Sequence, residues 1–272
     1  MQVGVFAKTF PGSEPAGVLA AVRDAGFAVT QFNLACAGLP SMPDAVPIET
    51  IRAIDAAAKS AGVGLAALSG TYNMAHQDSL VRENGLRRLA VVIETAARLS
   101  IPLVTLCTGT RNAEDQWAHH PDNADPSAWA DMSKEMAKAL QLAERHGVDL
   151  GIEPEQANIV TSADDAMRLI SEMGSKRLRI VLDPANLFEQ ASADKARAIV
   201  AEAVERTAGH VSLAHAKDRF ADGRFATAGR GVVDFADFIA RLRATGFDGP
   251  LVTHGLSAEE APGVARFLRE LV

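Results

Sequence analysis

Cysteine and aromatic residues are scarce in this 272-residue chain: two cysteines, one tyrosine, two tryptophans, and aromatics at 5% overall. Two thiols far apart, Cys36 and Cys107, exclude a disulfide scaffold and read as reduced groups of an intracellular core. Positive charge is also in deficit, with 27 Lys and Arg against 34 Asp and Glu and a net charge of −7. No basic run or aromatic-interleaved basic patch offsets it, so no nucleic-acid partner is expected. No window reaches 18 uninterrupted apolar residues, so no membrane span is expected. The opening MQVGVFAKTFPGSE lacks the basic-then-apolar pattern of a secretory leader. A cytoplasmic protein is the expectation. Neither GxGxxG after the first apolar run nor GxxxxGK[ST] occurs, which removes the best signals for a nucleotide cofactor. Glycine (21) and proline (12) stand at ordinary levels, which excludes collagenous and disordered chains.

What is present is a regular alternation of short apolar runs with helix-length amphipathic segments. The runs cover 3–7, 29–33, 64–69, 103–107, 149–153, 179–183, 210–215 and 251–254. They are continuous rather than alternating, as strands buried on both faces are. Eight in 272 residues is about 34 residues per unit, one strand and one helix. Helix signals fill the gaps. Ser162 and Asp165 precede Ala166, Leu169, Ile170 and Met173 at helical spacing, and Ser257 with Glu260 forms a capping box. Asp125-Pro126 supplies an N-cap and an N1 proline for a helix that Gly147 closes. Asp234 precedes Phe235, Phe238, Ile239 and Leu242. No linker interrupts the pattern, so it predicts one domain over residues 1–272, a single (β/α)8 TIM barrel.

Such barrels place chemistry at the C-terminal ends of their strands. Runs five to eight end in Glu153, Asp183, His215 and His254. Neighbouring strands lie about 4.8 Å apart, so these side chains can converge, and hard oxygens mixed with imidazoles suit a divalent cation. Without a cation Glu153 and Asp183 would repel each other. Asn186 and Lys217 follow two of these ends and are placed to bind substrate oxygens. Glu155 offers a further base or a partner that orients a metal ligand. Asn73 and His76 follow the third run, and loop 108–125 after the fourth, carrying Trp117, His119 and His120, has the length of a lid. Trp117 is a candidate substrate contact, and the His119-His120 pair is expected to be solvated. The segment Gly229-Arg230-Gly231 reads either as an anion contact or as the turn before the seventh helix.

The segments GIEPE, VLDPAN, AHAKD and FDGPLVTHG, in that order, resemble the xylose isomerase-like barrel superfamily of sugar and sugar phosphate isomerases and epimerases. SGTYNMAH and LCTGTRN have the look of one branch of it, and the resemblance spans essentially the whole chain. It implies a divalent metal held by Glu153, Asp183 and His215. It implies a sugar or polyol substrate, with carboxylates moving protons at the carbon next to a metal-chelated carbonyl; here Glu153 or Glu155 would remove the proton, with Lys217 or water stabilising the developing charge. Dimers and tetramers are common among the proteins it resembles, so a homo-oligomer is in prospect. The superfamily normally places a second glutamate at the end of strand eight, and this chain has His254 there. As a ligand, His254 would replace oxygen by nitrogen and favour Mn, Fe, Co or Zn over Mg. It would also remove one of two acid/base carboxylates. Lyase or dehydratase chemistry, or a degenerate carbohydrate-binding barrel, are the alternatives. An endonuclease IV-like repair enzyme needs more ligands and a basic groove, which the negative charge disfavours.

Overall fold

In the computed structural model, which describes residues 1–272, eight parallel strands close into a barrel. They are β1 (Gln2–Phe6), β2 (Val29–Phe32), β3 (Gly64–Ser69), β4 (Leu103–Leu106), β5 (Asp149–Ile152), β6 (Leu178–Leu182), β7 (Val211–Ala216) and β10 (Pro250–Thr253). β10 closes the ring by pairing with β1, Val3 opposite Leu251. Each lies within one residue of the apolar run that predicted it. The outer helices are α1 (Pro15–Asp24), α2 (Ile48–Ala61), α3 (Ser79–Arg98), α4 (Pro126–His146), α5 (Ala163–Met173), α6 (Ala193–Arg206), α7 (Phe235–Ala244) and α8 (Ala261–Leu271). The chain is therefore a single (β/α)8 barrel. No helix is long and apolar enough to cross a membrane.

The helix caps form as the sequence dictates. Ser162 accepts from the Asp165 amide, Asp125 from that of Ser127, and Asp234 from that of Asp237, while Gly147 ends α4 at φ 70°. The Ser257–Glu260 box differs. Its two residues bond each other, but they close the turn before α8, which starts at Ala261 with Pro262 in its first turn. A ribbon the sequence did not signal, β8 (Asp218–Arg219) antiparallel to β9 (Phe225–Ala226), follows β7.

Between sheet and helices lies a cluster of 66 buried apolar residues, and inside the barrel a second, separate one: Ala67, Leu103, Val181, Leu213 and Val252. Strand residues two apart point the same way. Two steps beyond these five stand Ser69, Thr105, Asp183, His215 and His254. One pleat thus converts an apolar plug into a polar ring at the C-terminal mouth. Gly151 belongs to the plug layer. A Cβ there would stand 2.8 Å from Val181 Cγ2 and 3.1 Å from Leu103 Cδ1, so only glycine fits. Two residues on is Glu153. The plug holds the floor of the site, each of its larger side chains contributing roughly 1.5–3 kcal/mol by burial.

Candidate metal centre

The polar ring assembles at the floor of a cavity of about 440 Å³. One potential ligand atom from each of Glu153, Asp183, His215 and His254 lies within 4.8 Å of the other three. His254 Nε2 is 2.9 Å from Asp183 Oδ2, and His215 Nδ1 is 3.3 Å from Glu153 Oε1 and 3.7 Å from Asp183 Oδ2. The other Asp183 oxygen accepts from the Ala185 amide at 2.9 Å and caps the short 3-10 turn Pro184–Asn186. One carboxylate therefore both caps a turn and joins the cluster. The turn delivers Asn186, whose Nδ2 donates to Glu153 Oε1 at 2.7 Å and whose Oδ1 accepts from Lys217 Nζ at 2.6 Å. Lys217 is itself buried, 3.6 Å from Asp183 Oδ2, with its ammonium 4.0 Å over the Phe225 ring.

Electrostatics follow from this crowding. Burial pushes the Glu153 carboxyl up, but His215 outweighs it and holds Glu153 below its ordinary value. Burial acts likewise on Asp183, where Lys217 and the two histidines prevail and hold it well below the usual carboxylate range. For His215 burial works downward, yet Glu153 and Asp183 raise it to about 9. Burial and the charge of His215 lower His254. Glu155, desolvated and facing Glu153, is pushed up to about 7.

The donors fit a divalent ion. Two ionised carboxylates and two imidazoles converge, and the orientation of His215 is set from behind. Its Nε2 lies 2.9 Å from Gln31 Oε1, an acceptor only, which makes Nε2 the protonated nitrogen and turns Nδ1 toward the carboxylates. Gln31 is held in turn, its Nε2 donating to Ser69 Oγ and Thr105 Oγ1, each at 3.2 Å. Gln31, Ser69 and Thr105 were not among the residues the sequence singled out. The one signal for them is the pleat, which sets each two residues past Val29, Ala67 or Leu103 on its strand.

Other singled-out residues fall in several places. Glu155, Asn186, Lys217 and Trp117 line the same cavity as the cluster. Asn73 and His76 do not; they line an adjoining cavity that also reaches Trp117. Asn73 is a brace, its Oδ1 accepting from the amides of Ala75 and Thr110, and His76 Nδ1 accepts from the Asp78 amide. Loop 108–125, which has the length of a lid, is hydrogen-bonded to its surroundings. Arg111 donates to Ala75 O and Asp131 Oδ2, and Asn123 bridges Thr110 and Ala157. His119 and His120 stand outside the cluster, with His120 Nδ1 accepting from Asp122 N. Gly229 and Gly231 donate to the carboxylate of buried Asp218, so the anion bound by that turn is the protein's own.

A family model for the xylose isomerase-like TIM barrel matches residues 19–271. The chain belongs to this family. Among solved structures, the barrel is similar to the apo form of 3-keto-D-glucoside 4-epimerase from E. coli, at TM-score 0.78 and 19% identity over 99% of each chain. It is similar to L-ribulose 3-epimerase, at TM-score 0.76 and 20% identity over 99% of this chain and 92% of that one. It is also similar to D-allulose 3-epimerase from Methylomonas sp., at TM-score 0.78 and 15% identity over 100% and 98%. At these identities the likeness is one of fold. A search of curated protein sequences found no match.

Proposed function

We propose that this xylose isomerase-like barrel is a divalent-metal-dependent isomerase or epimerase of sugars or related hydroxyketones. The observation that carries the reading is the convergence of Glu153, Asp183, His215 and His254 at the mouth of the barrel, where this fold does its chemistry. These four would hold the ion. A bound ion would supply Lewis acidity toward neighbouring oxygens of a hydroxyketone and so acidify the adjacent C–H. With two nitrogens among four donors, Mn, Fe, Co or Zn is preferred to Mg. Sugar epimerases among the similar folds support the substrate class.

The chain's own residues divide the remaining work. Glu153 and Glu155 are the carboxylates within reach of a substrate in the cavity. Glu153 is engaged with Asn186 and His215, whereas no side chain donates a hydrogen bond to Glu155, which leaves Glu155 to take the proton. Lys217 gives one N–H to Asn186 and keeps two to stabilise negative charge developing on a substrate oxygen. Asn186 ties both groups together. The two unpaired, buried cysteines accord with a reducing, cytoplasmic setting.

A second reading, elimination of a β-oxygen by a lyase or dehydratase, is favoured by one observation. His254 occupies the strand-eight position, and its Nε2 engages Asp183. No carboxylate closes the eighth barrel strand, so chemistry using one base is favoured over inversion by two from opposite sides. Incubating Mn²⁺-loaded protein with unphosphorylated ketoses and resolving the products by NMR tests both. An isomer or epimer supports the first reading and a dehydrated product the second. Metal binding without any turnover marks a carbohydrate-binding barrel and refutes both.

A further inference from the structure

Beside the cavity that holds the cluster lies a second one, of about 740 Å³, and the two share Thr71, Gln116 and Trp117 as a common wall. Both volumes fall in the range of small-molecule sites. Trp117 stands at the junction with its side chain half exposed, at 48%. It does not hang freely. Its amide donates to Asp115 Oδ1 at 2.9 Å and the next amide to Asp115 O, so the backbone that carries the indole is held in a turn. Across the second cavity, Val81 on α3 is a further exposed apolar side chain. An indole platform offers a flat apolar face against which the C–H face of a sugar ring can lie.

The charges around this cavity discriminate between occupants. Arg88, its one arginine, shares Asp44 with Arg87, at 2.9 and 2.8 Å. Glu114 and Asp115 add negative charge to the wall. A phosphate or carboxylate would meet one arginine that Asp44 already engages, against two like charges. A neutral ring with hydroxyls meets an aromatic face and acceptors. We infer that the substrate is a ketose or keto-sugar carrying a second, neutral ring, whose reacting end enters the cluster cavity while the second ring lies across Trp117. This rests on the proposed sugar chemistry at the cluster.

The test is isothermal titration of the Mn²⁺-loaded protein with D-fructose, D-fructose 6-phosphate, and two fructosyl disaccharides, lactulose and isomaltulose, which carry the second ring at O4 and O6. The inference expects at least one disaccharide to bind tenfold or more tightly than fructose, and fructose 6-phosphate to bind no tighter than fructose. Asn84→Trp, which fills the second cavity from an exposed position on α3, should bring that disaccharide within about twofold of fructose. Equal affinities for all sugars, a preference for the phosphate, or a disaccharide preference untouched by Asn84→Trp each overturn it. Solvent-deuterium exchange run on the same sugars keeps the two readings apart. Exchange without disaccharide preference removes only the second subsite. Disaccharide preference without exchange removes the isomerase reading and leaves a glycoside-binding barrel.

Discussion

Replacing Gln31 by leucine removes the group that sets the tautomer of His215, a proposed metal ligand, while leaving all four proposed ligands in place. In the wild-type protein Gln31 Oε1 takes the Nε2–H of His215 at 2.9 Å, so Nδ1 faces Glu153 and Asp183, where the proposed metal would be held. Leucine is close in volume but accepts nothing. A buried N–H left without a partner costs about 1–3 kcal/mol, and a neutral ring escapes that cost by moving its proton to Nδ1, where it blocks the ligand position. Loss of such an outer partner typically weakens metal binding 10–100-fold, or about 1.4–2.7 kcal/mol. Gln31→Glu keeps an acceptor at the same atom, and the hydroxyls of Ser69 and Thr105 can turn to donate to it, so affinity should stay near wild type or rise. The assay is competition for Mn²⁺ or Zn²⁺ against a fluorescent chelator, with circular dichroism as the control for folding. A folded Gln31→Leu protein binding metal within twofold of wild type refutes the reasoning.

Three further outcomes are expected. Asp183→Ala should abolish metal binding measured by calorimetry in protein that circular dichroism shows to be folded, the lost turn cap costing about 1 kcal/mol and the unpaired buried charges adding to it; unchanged affinity would remove Asp183 from the centre. His254→Ala should weaken binding, and His254→Glu should move preference toward Mg²⁺ by restoring a hard oxygen; a histidine that is no ligand would leave affinity and preference alike unmoved. Burial pushes the thiols of Cys36 and Cys107 up to about 11 and about 12. A raised thiol stays protonated below its pKa, so at pH 8 roughly a thousandth or less of either is thiolate. Native protein should therefore release almost no colour from a thiol-exchange reagent, and unfolded protein should release two equivalents; rapid reaction of the native state would contradict the burial.

How much of this was legible in the sequence differs between the halves of the ring. The barrel was readable because parallel strands covered on both faces must be apolar throughout, and all eight runs end within a residue of the strands they became. Glu153, Asp183, His215 and His254 were readable because charged or imidazole side chains closing apolar runs stand out. Gln31, Ser69 and Thr105 occupy the same layer, yet neutral polar residues near a strand end carry no such contrast. Only the pleat shows that they face inward beside His215. The β8–β9 ribbon was hidden for another reason. It has two residues per strand, too few for any period, and it is held by the carboxylate of Asp218, which binds amides from Gly229 to Val233. Asn73 and His76 sit after a strand as active-site residues do, but only tertiary structure reveals that they open onto the neighbouring cavity.

The central claim is that the strand-end cluster, loaded with metal, lets Glu155 remove a proton from carbon next to a carbonyl. It is tested most directly by incubating the Mn²⁺-loaded protein with a ketose in D₂O and following the C–H signals adjacent to the carbonyl by NMR. One such signal should be lost in a metal-dependent reaction that stops when the metal is chelated and slows by at least 100-fold in Glu155→Gln, in line with the usual contribution of a general base. Protein that binds the metal at Asp183 yet leaves every C–H signal intact, across free and glycosylated ketoses alike, would contradict the claim.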